Sequence, residues 1–219
     1  MRRDCGSAHG CSRQMNDLDP TLAGRRIVLR SLRIEDYRAW SEVRTRCRDW
    51  LIKWEPRPAR APYPVEDRPT FAARCAMRER ERGLGTGFAF GMFRDGVFLG
   101  ESNISSIQRG AMQGAYIGYW IDEEAAGNGY VPEACALLFR FAFEDLALHR
   151  VQVSIVPRNY PSRQVARKLW LRGEGIALRY LEIDGAWEDH VRYAITAEEW
   201  MERRDRYAQL WFKEGGAKH

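Results

Sequence analysis

The sequence predicts an α/β fold: a single domain in which helices flank a mixed, largely antiparallel sheet of about seven strands. The first observation behind this prediction is the order of apolar patterns, which alternate between strand-length and helix-length segments. The second is Asp95-Gly96 between two apolar runs, the strongest hairpin signal in the chain. The third is size, because 219 residues with 45% hydrophobic composition suffice for one large core, with two small domains as the alternative.

The N-terminal third is predicted to contain one strand and two helices. Residues 1–22 carry little apolar pattern and are expected to form a disordered arm ahead of a domain spanning 23–200. A strand at Arg26–Arg30 precedes a helix from Ile34 to about Cys47, and a charged helix follows from about Val65 to Arg82. Prolines exclude a long element between these helices: Pro56, Pro58, Pro62, Pro64 and Pro69.

The rest of the chain is predicted to complete the sheet and add three helices. The strands are expected at Phe88–Phe93, Val97–Ile107, Ala115–Ile121, Val151–Val156, Leu178–Ile183 and Val191–Ile195. The helices are expected at Tyr130–Leu148, at Ser162–Leu171 and after Thr196, a typical cap residue. Residues 201–219 are assigned to the C-terminal helix and tail.

Composition and residue spacing exclude several classes of protein. No apolar run is long enough to span a membrane, and Met1–Asn16 lacks the apolar stretch of a secretory signal, so a cytoplasmic location is expected. The five cysteines form no C-x-x-C pair and the four histidines are scattered, which predicts reduced thiols and no metal site. The net charge is +5, but arginines alternate with acids, as in Arg78–Arg82, which is typical of solvated helix faces rather than a nucleic-acid surface.

The most informative segment is a strand followed by a glycine-rich turn and a long helix. The turn Ala126-Gly127-Asn128-Gly129 leads into a helix whose first turn holds Pro132. Glycines let backbone N–H groups approach a ligand, and a helix N-terminus favours a pyrophosphate. Strand-to-helix turns also need glycine for steric reasons alone, so this pattern by itself leaves both interpretations open.

This segment resembles the pyrophosphate loop of the GNAT acetyltransferase superfamily, Arg/Gln-x-x-Gly-x-Gly/Ala, with Gly129 at the essential glycine. The loop and the start of the helix are similar to those of RimJ and RimL, the branch that acetylates protein N-termini. The matching residues are Gly127-Asn128-Gly129-Tyr130, followed by Glu133-Ala134. Ala126 departs from the usual Arg or Gln, and Val131 replaces a small residue. The resemblance implies a GNAT fold with a splayed central strand pair and acetyl-CoA as co-substrate. It implies these cofactor-binding residues: Trp120, Ile121, Ala126, Gly127, Asn128, Gly129, Tyr130, Val131, Asn159, Ser162 and Lys168.

A second motif follows the next strand. The run from Asn159 to Leu169 resembles the family signature N-x-x-S-x-x-V-A-x-K-L, in which the asparagine contacts the cofactor or substrate and the serine faces the thioester sulfur. Trp170-Leu171 replaces the usual Gly-Phe after it. Asn159 is equally compatible with an ordinary helix cap.

The third match, Gly185 to Val191, is similar to the G-x-W-x-D-H turn of the RimJ/RimL branch. Because His190 stands beside Asp189 at the start of a strand, a structural hydrogen bond is favoured over a catalytic base.

The resemblance implies direct attack of an amine on the thioester. Glu101 and Glu182 are the candidate bases, although each taken alone is more typical of a solvated surface residue. Ser162 is the candidate acid, because Ala166 occupies the place of the usual tyrosine. The aromatic residues Trp50, Trp54 and Tyr63 are expected to wall the acceptor side.

The expected acceptor is the N-terminal amine of a ribosomal or other protein, handled by a monomer or homodimer without a membrane or direct nucleic-acid partner. A small-molecule amine, such as an aminoglycoside, a polyamine or an amino acid, uses the same chemistry and remains an alternative. A CoA-sensing or ribosome-binding module without catalysis is a second alternative, kept open by Ala126.

Overall fold

A computed structural model describes residues 19–57, 59 and 66–213 as an eight-stranded sheet with helices on both faces. The strands are β1 (Leu22–Ala23), β2 (Val28–Arg30), β3 (Phe88–Arg94), β4 (Val97–Gln108), β5 (Gly114–Ile121), β6 (Arg150–Ile155), β7 (Arg172–Ile183) and β8 (Ala186–Thr196). The helices are α1 (Tyr37–Arg46), α2 (Arg48–Leu51), α3 (Arg68–Gly83), α4 (Tyr130–Arg140), α5 (Tyr160–Lys168) and α6 (Ala197–Trp211). No helix among these residues is long and apolar enough to cross a membrane.

The sheet has the order β1-β2-β3-β4-β5-β6-β8-β7, and it opens in its middle. Strands β5 and β6 run parallel, and they pair only from Gly114–Arg150 to Tyr116–Gln152. Strand β5 nevertheless continues to Ile121, while β6 stays paired with β8 as far as Ile155. The splayed central pair expected from the resemblance is therefore confirmed.

Two apolar clusters hold the helices on the sheet. The larger one surrounds α4, in which every residue from Tyr130 to Phe139 is buried, because a helix that is almost wholly apolar can be placed only in the interior. The smaller cluster packs α1 to α3 on the opposite face around Trp40 and Phe71, whose rings lie 4.8 Å apart. The site described below lies where these two layers meet at the open middle of the sheet.

Several predicted boundaries were wrong. Leu22, assigned to a disordered arm, is 8% exposed within β1; residues 1–18 lie outside the described residues. The split at residue 200 falls inside α6, where Tyr207 is completely buried against the main core, so this helix belongs to the domain. The charged helix begins at Arg68 rather than near Val65, because Asp67 caps it by accepting from the Thr70 amide.

The two helices beside the glycine turn and the second motif are shorter than predicted. α4 ends at Arg140 and continues as a π-helical turn through Phe141–Asp145. α5 ends at Lys168 instead of Leu171, because Trp170 adopts φ +50°, a left-handed conformation that stops the helix. A glycine would take this conformation without strain, and here a tryptophan carries it.

Candidate active site

The glycine-rich turn is held by side-chain hydrogen bonds, both just before it and within it. Asp122, at the end of β5, is buried and accepts hydrogen bonds from Arg46 (2.5 Å) and the Cys47 thiol (3.2 Å). The Asn128 side chain donates to the carbonyls of residues 125 and 126 at 3.2 and 3.3 Å, which closes the loop. Gly129 has φ +81° and is the first residue of the junction with α4. The loop is thus fixed in a shape that only glycine adopts easily.

The N-terminus of α4 fits a phosphate group. Its N-cap residue is Gly129, and no side chain caps the free N–H groups of the first turn. A Cβ added at Gly127 would meet no atom within 4 Å, so the surface of the turn is open. Unsatisfied N–H donors and the positive end of a helix together favour an anion.

The gap between β5 and β6 fits an extended chain with hydrogen-bonding groups. Past Tyr116, β5 is paired with β4 on one side only within the described residues. Its other edge therefore offers backbone donors and acceptors to a ligand, as an edge strand does. The glycine-rich turn and the N-terminus of α4 follow β5 after one 3₁₀ turn at Glu123–Ala125. The strand edge that can bond an extended chain and the helix end that favours an anion therefore belong to one stretch of the chain.

Ser162 lies in the first turn of α5, and its hydroxyl does not cap the helix. The cap is Asn159, whose side-chain oxygen accepts from the Ser162 amide at 3.1 Å. The Ser162 hydroxyl instead lies 2.7 Å from the hydroxyl of Tyr119 on β5. Burial raises the pKa of Tyr119, which keeps this phenol protonated and able to donate to Ser162. The pair joins the two sides of the open sheet.

Glu101 is not a solvated surface residue. It lies on β4 opposite Trp120 and is 1% exposed. Its two carboxylate oxygens accept from the Trp40 indole at 2.9 Å and from the Arg74 guanidinium at 2.5 Å. Burial of a carboxylate is tolerated here because a cation and a neutral donor both bind it.

Glu182 lies near the end of β7 and binds the segment that follows α2. Its side chain accepts from the Ala59 amide at 2.7 Å, and its carbonyl accepts from the Arg57 amide at 2.9 Å. Ser162, Glu101 and Glu182 therefore lie in three separate groups of hydrogen bonds rather than in one catalytic cluster.

The described part of the segment after α2 pairs with the end of β7 through Pro56 and Arg57. Arg158, just before α5, stacks on the Trp54 ring at 4.8 Å and pairs with Glu188 on β8. Lys53 lies over both the Trp50 and Trp54 rings, at 5.2 and 5.7 Å. Whether Trp50 and Trp54 wall the acceptor side stays a prediction, and Tyr63 lies outside the described residues.

The remaining residues predicted to bind the cofactor differ in burial and in distance from Ser162. Trp120 packs edge-on against Phe98 with ring centroids 5.7 Å apart, and Ile121 packs against the main core. Tyr130 and Val131 are buried, so their side chains face the interior and only their backbone can reach a ligand. Lys168 is exposed at the far end of α5, about 9 Å along the helix axis from Ser162.

His190 is a structural residue, as the sequence indicated. It is 3% exposed, its Nδ1–H donates to the Glu188 carbonyl at 3.0 Å, and the Tyr180 ring packs edge-on against it at 5.5 Å. The neighbouring Asp189 carboxylate accepts from the Arg179 amide instead. Burial lowers the pKa of His190 below its ordinary value of 6.5.

This shift predicts a loss of stability in acid. The unfolded chain takes up a proton on His190 as the pH falls through about 6.5, whereas the folded state resists it, so the free energy of unfolding decreases below that pH. We expect His190→Gln to show a smaller drop in melting temperature than the parent between about pH 7.5 and pH 5.5. Thermal unfolding at both pH values measures this. Equal drops in the two proteins would assign the acid sensitivity to other groups.

Two residues at the site were missed by the sequence reasoning. Tyr119 was treated only as part of a strand, and Arg26 only as the start of one. The Arg26 guanidinium donates to the carbonyls of Asn128 at 2.8 Å and Gly129 at 3.0 Å. Within the part of the chain that the structure describes, no cluster of His, Cys, Asp and Glu fits a metal ion.

Comparison with known proteins agrees with this geometry. The family profile of the acetyltransferase (GNAT) domain matches residues 26–171. The probable N-acetyltransferase YjcK of Bacillus subtilis is 32% identical over 176 residues, which are 80% of this chain and 96% of that protein. The ribosomal protein uS5-alanine N-acetyltransferase of Escherichia coli is 31% identical over 186 residues, 84% of this chain and 94% of that one.

Solved structures of acetyltransferases are similar to this chain over most of its length. Mycobacterium smegmatis RimJ in complex with CoA-disulfide is similar to this chain with a TM-score of 0.82 and 32% identity, covering 87% of this chain and 94% of that one. The ribosomal-protein-S5-alanine acetyltransferase from Vibrio fischeri has a TM-score of 0.75 at 25% identity, covering 83% and 99%.

Proposed function

Because this chain belongs to the GNAT acetyltransferase family and is an acetyl-CoA-dependent N-acetyltransferase of the RimJ/RimL type, we propose that its acceptor is the N-terminal α-amine of a protein. A ribosomal protein is the first candidate, since the similar protein of E. coli is named for acetylating the alanine of ribosomal protein uS5. Such an acceptor is made in the cytoplasm, and we propose that location for this enzyme.

The proposed choice of amine rests on one observation: both candidate bases already accept hydrogen bonds from other groups. Glu101 already accepts from Trp40 and Arg74, and Glu182 already accepts from the Ala59 amide. A carboxylate occupied in this way is poorly suited to take a proton from a strongly basic amine. The site therefore favours an amine that loses its proton to water unaided.

An α-amine meets this requirement and a lysine or polyamine does not. With a pKa near 8, about a tenth of an α-amine is neutral at pH 7, whereas for a lysine amine near 10.4 the neutral fraction is about 0.04%. Without a strong base, this difference of about 250-fold in neutral amine passes directly into the rate.

Acetyl-CoA supplies an activated acetyl thioester, and this chain's residues hold it and manage the charges. The amine nitrogen forms a bond to the acetyl carbon, the carbon–sulfur bond breaks, and the amine proton goes to water. We assign stabilisation of the oxyanion to backbone N–H groups on the open edge of β5. The Ser162 hydroxyl, which lies 2.7 Å from that of Tyr119, can donate a hydrogen bond to the departing sulfur, and the thiolate then takes its proton from water.

The experiment is a comparison of acceptors at saturating acetyl-CoA. Release of CoA would be measured against peptides beginning with Ala, Ser or Met, the same peptides with a blocked N-terminus, an aminoglycoside, spermidine and free amino acids. We expect kcat/KM for a free Ala or Ser N-terminus to exceed that for spermidine by at least about a hundredfold, in line with the difference in neutral amine, and to exceed that for the aminoglycoside and the free amino acids as well. A small amine that matches or exceeds the peptides would overturn the assignment of the acceptor.

A further inference from the structure

A fully buried carboxylate connects α4 to the segment before β2. Glu133 lies in the first turn of α4 and is 0% exposed. Its Oε1 accepts from the backbone N–H groups of Arg26 at 2.6 Å and Ile27 at 3.2 Å. Its Oε2 accepts from Arg26 Nε at 2.8 Å. Three donors thus compensate the burial of this charge, and together they fix the position of Arg26.

The other end of the Arg26 side chain holds the glycine-rich turn. Nη1 donates to the Asn128 carbonyl at 2.8 Å and Nη2 donates to the Gly129 carbonyl at 3.0 Å. A planar guanidinium with its Nε already bound presents these two donors in a fixed fork. Arg26 therefore grips two consecutive carbonyls rather than one.

This grip orients the N–H groups of the turn. In a trans peptide the N–H points opposite to the C=O of the same plane. When the Asn128 and Gly129 carbonyls point toward Arg26, the amides of Gly129 and Tyr130 point away from it. These two amides stand at the uncapped N-terminus of α4, where an anion would bind.

The side chain of Tyr130, the residue after Gly129, contacts two arginines. The Tyr130 ring lies 5.1 Å from the Arg26 guanidinium and 5.5 Å from that of Arg94, which also donates to the Tyr130 hydroxyl. The ring is 5% exposed. Rotation of the peptide planes at the start of α4 is therefore opposed by packing in addition to the hydrogen bonds.

We propose that Arg26 is a positioning residue for the co-substrate: anchored by Glu133, it orients the amides of Gly129 and Tyr130 toward the pyrophosphate of acetyl-CoA. This inference rests on the proposed use of the turn as a phosphate loop. It assigns the preorganisation of that loop to a residue more than a hundred positions earlier in the chain. Preorganised donors bind an anion more tightly because no ordering cost is paid on binding.

The test compares two acetyl donors. S-acetylpantetheine carries the same thioester as acetyl-CoA but lacks the pyrophosphate, so it does not contact the turn. In Arg26→Lys the charge remains and the two-pronged grip is lost. We expect kcat/KM for acetyl-CoA to fall about tenfold, and the calorimetric Kd for CoA to rise about tenfold, as for the loss of a well-aligned hydrogen bond. Turnover of S-acetylpantetheine should change less than about twofold.

Matched variants keep the proposal falsifiable. Arg30→Lys alters another arginine of the same segment, one that pairs with Asp36 and stacks on Phe93, and it should leave both donors unaffected. Arg26→Gln, measured alongside, should reproduce the donor-dependent loss. Equal losses with both donors, or no loss with either, would overturn the positioning role. Failure of the parent protein to bind CoA would instead contradict the phosphate loop itself, so the two failures are distinguishable.

Discussion

Replacement of Gly129 by valine is expected to weaken CoA binding by well over about tenfold, since a β-branched residue at a left-handed backbone position displaces the peptide that must face the phosphates. Gly129 has φ +81°, and even a single added Cβ would lie 3.4 Å from Nη2 of Arg26. Valine adds two methyl groups beyond that Cβ. The turn must then move away from both its anchor and its ligand.

The matched control for this change is Gly96→Val. Gly96 has the same φ of +81° and nothing within 4 Å of an added Cβ, but it lies in the β3–β4 hairpin turn. Both variants should lose stability through backbone strain, by about 1–3 kcal/mol. Isothermal titration should show weaker CoA binding in Gly129→Val only. Unchanged affinity in that variant would remove the turn from the binding site.

Replacement of Ser162 by alanine is expected to lower kcat by about ten- to a hundredfold with little change in the Kd of CoA, the pattern of a lost transition-state contact. The hydroxyl would act on the departing sulfur, where negative charge develops only during the reaction. Helix capping does not explain the residue, because Asn159 performs that role and the Ser162 hydroxyl contacts Tyr119. The melting temperature should therefore change little.

Tyr119→Phe tests the second member of the pair. It removes the phenol hydroxyl that shares a hydrogen bond with Ser162, and it should lower kcat as well. Because both residues act in one hydrogen-bonded unit, the double variant should be no slower than the slower single variant by more than about twofold. Ser41→Ala serves as the control, because it removes a hydroxyl on α1 that donates to the Glu66 carbonyl. Fully additive losses, or an unchanged kcat in Ser162→Ala, would contradict the joint role of Ser162 and Tyr119.

Local signals predicted the elements of the site well. Glycine at a strand-to-helix junction, an asparagine before Pro161 and an Asp-Gly turn all act through neighbouring backbone, so their effect is visible in a short stretch of sequence. The turn at Gly129 and the β3–β4 hairpin occur where the sequence placed them, and Asn159 forms the helix cap that the sequence left as an alternative. These are the parts of the fold in which local preference and the final structure agree.

Distant contacts were not predictable in the same way. Tyr119 and Ser162 are 43 positions apart, and Arg26 and Glu133 are 107 positions apart. An alternating strand pattern shows that Tyr119 faces one side of the sheet, but not which helix lies there. Arg26 looked like the first residue of a strand, yet its backbone N–H binds a carboxylate rather than a strand partner. Glu101 was misjudged for the same reason, since Trp40 and Arg74 come from two separate helices.

The central claim, transfer of acetyl to an N-terminal α-amine, is tested most directly by one peptide that offers two amines. A peptide beginning with alanine and containing one internal lysine would be incubated with the enzyme and acetyl-CoA, and fragmentation mass spectrometry would locate the acetyl group. Because both candidate bases, Glu101 and Glu182, already accept hydrogen bonds, we expect a single acetyl group on the α-amine and an unmodified lysine. Acetyl on the lysine, or CoA release without peptide acetylation, would contradict the account.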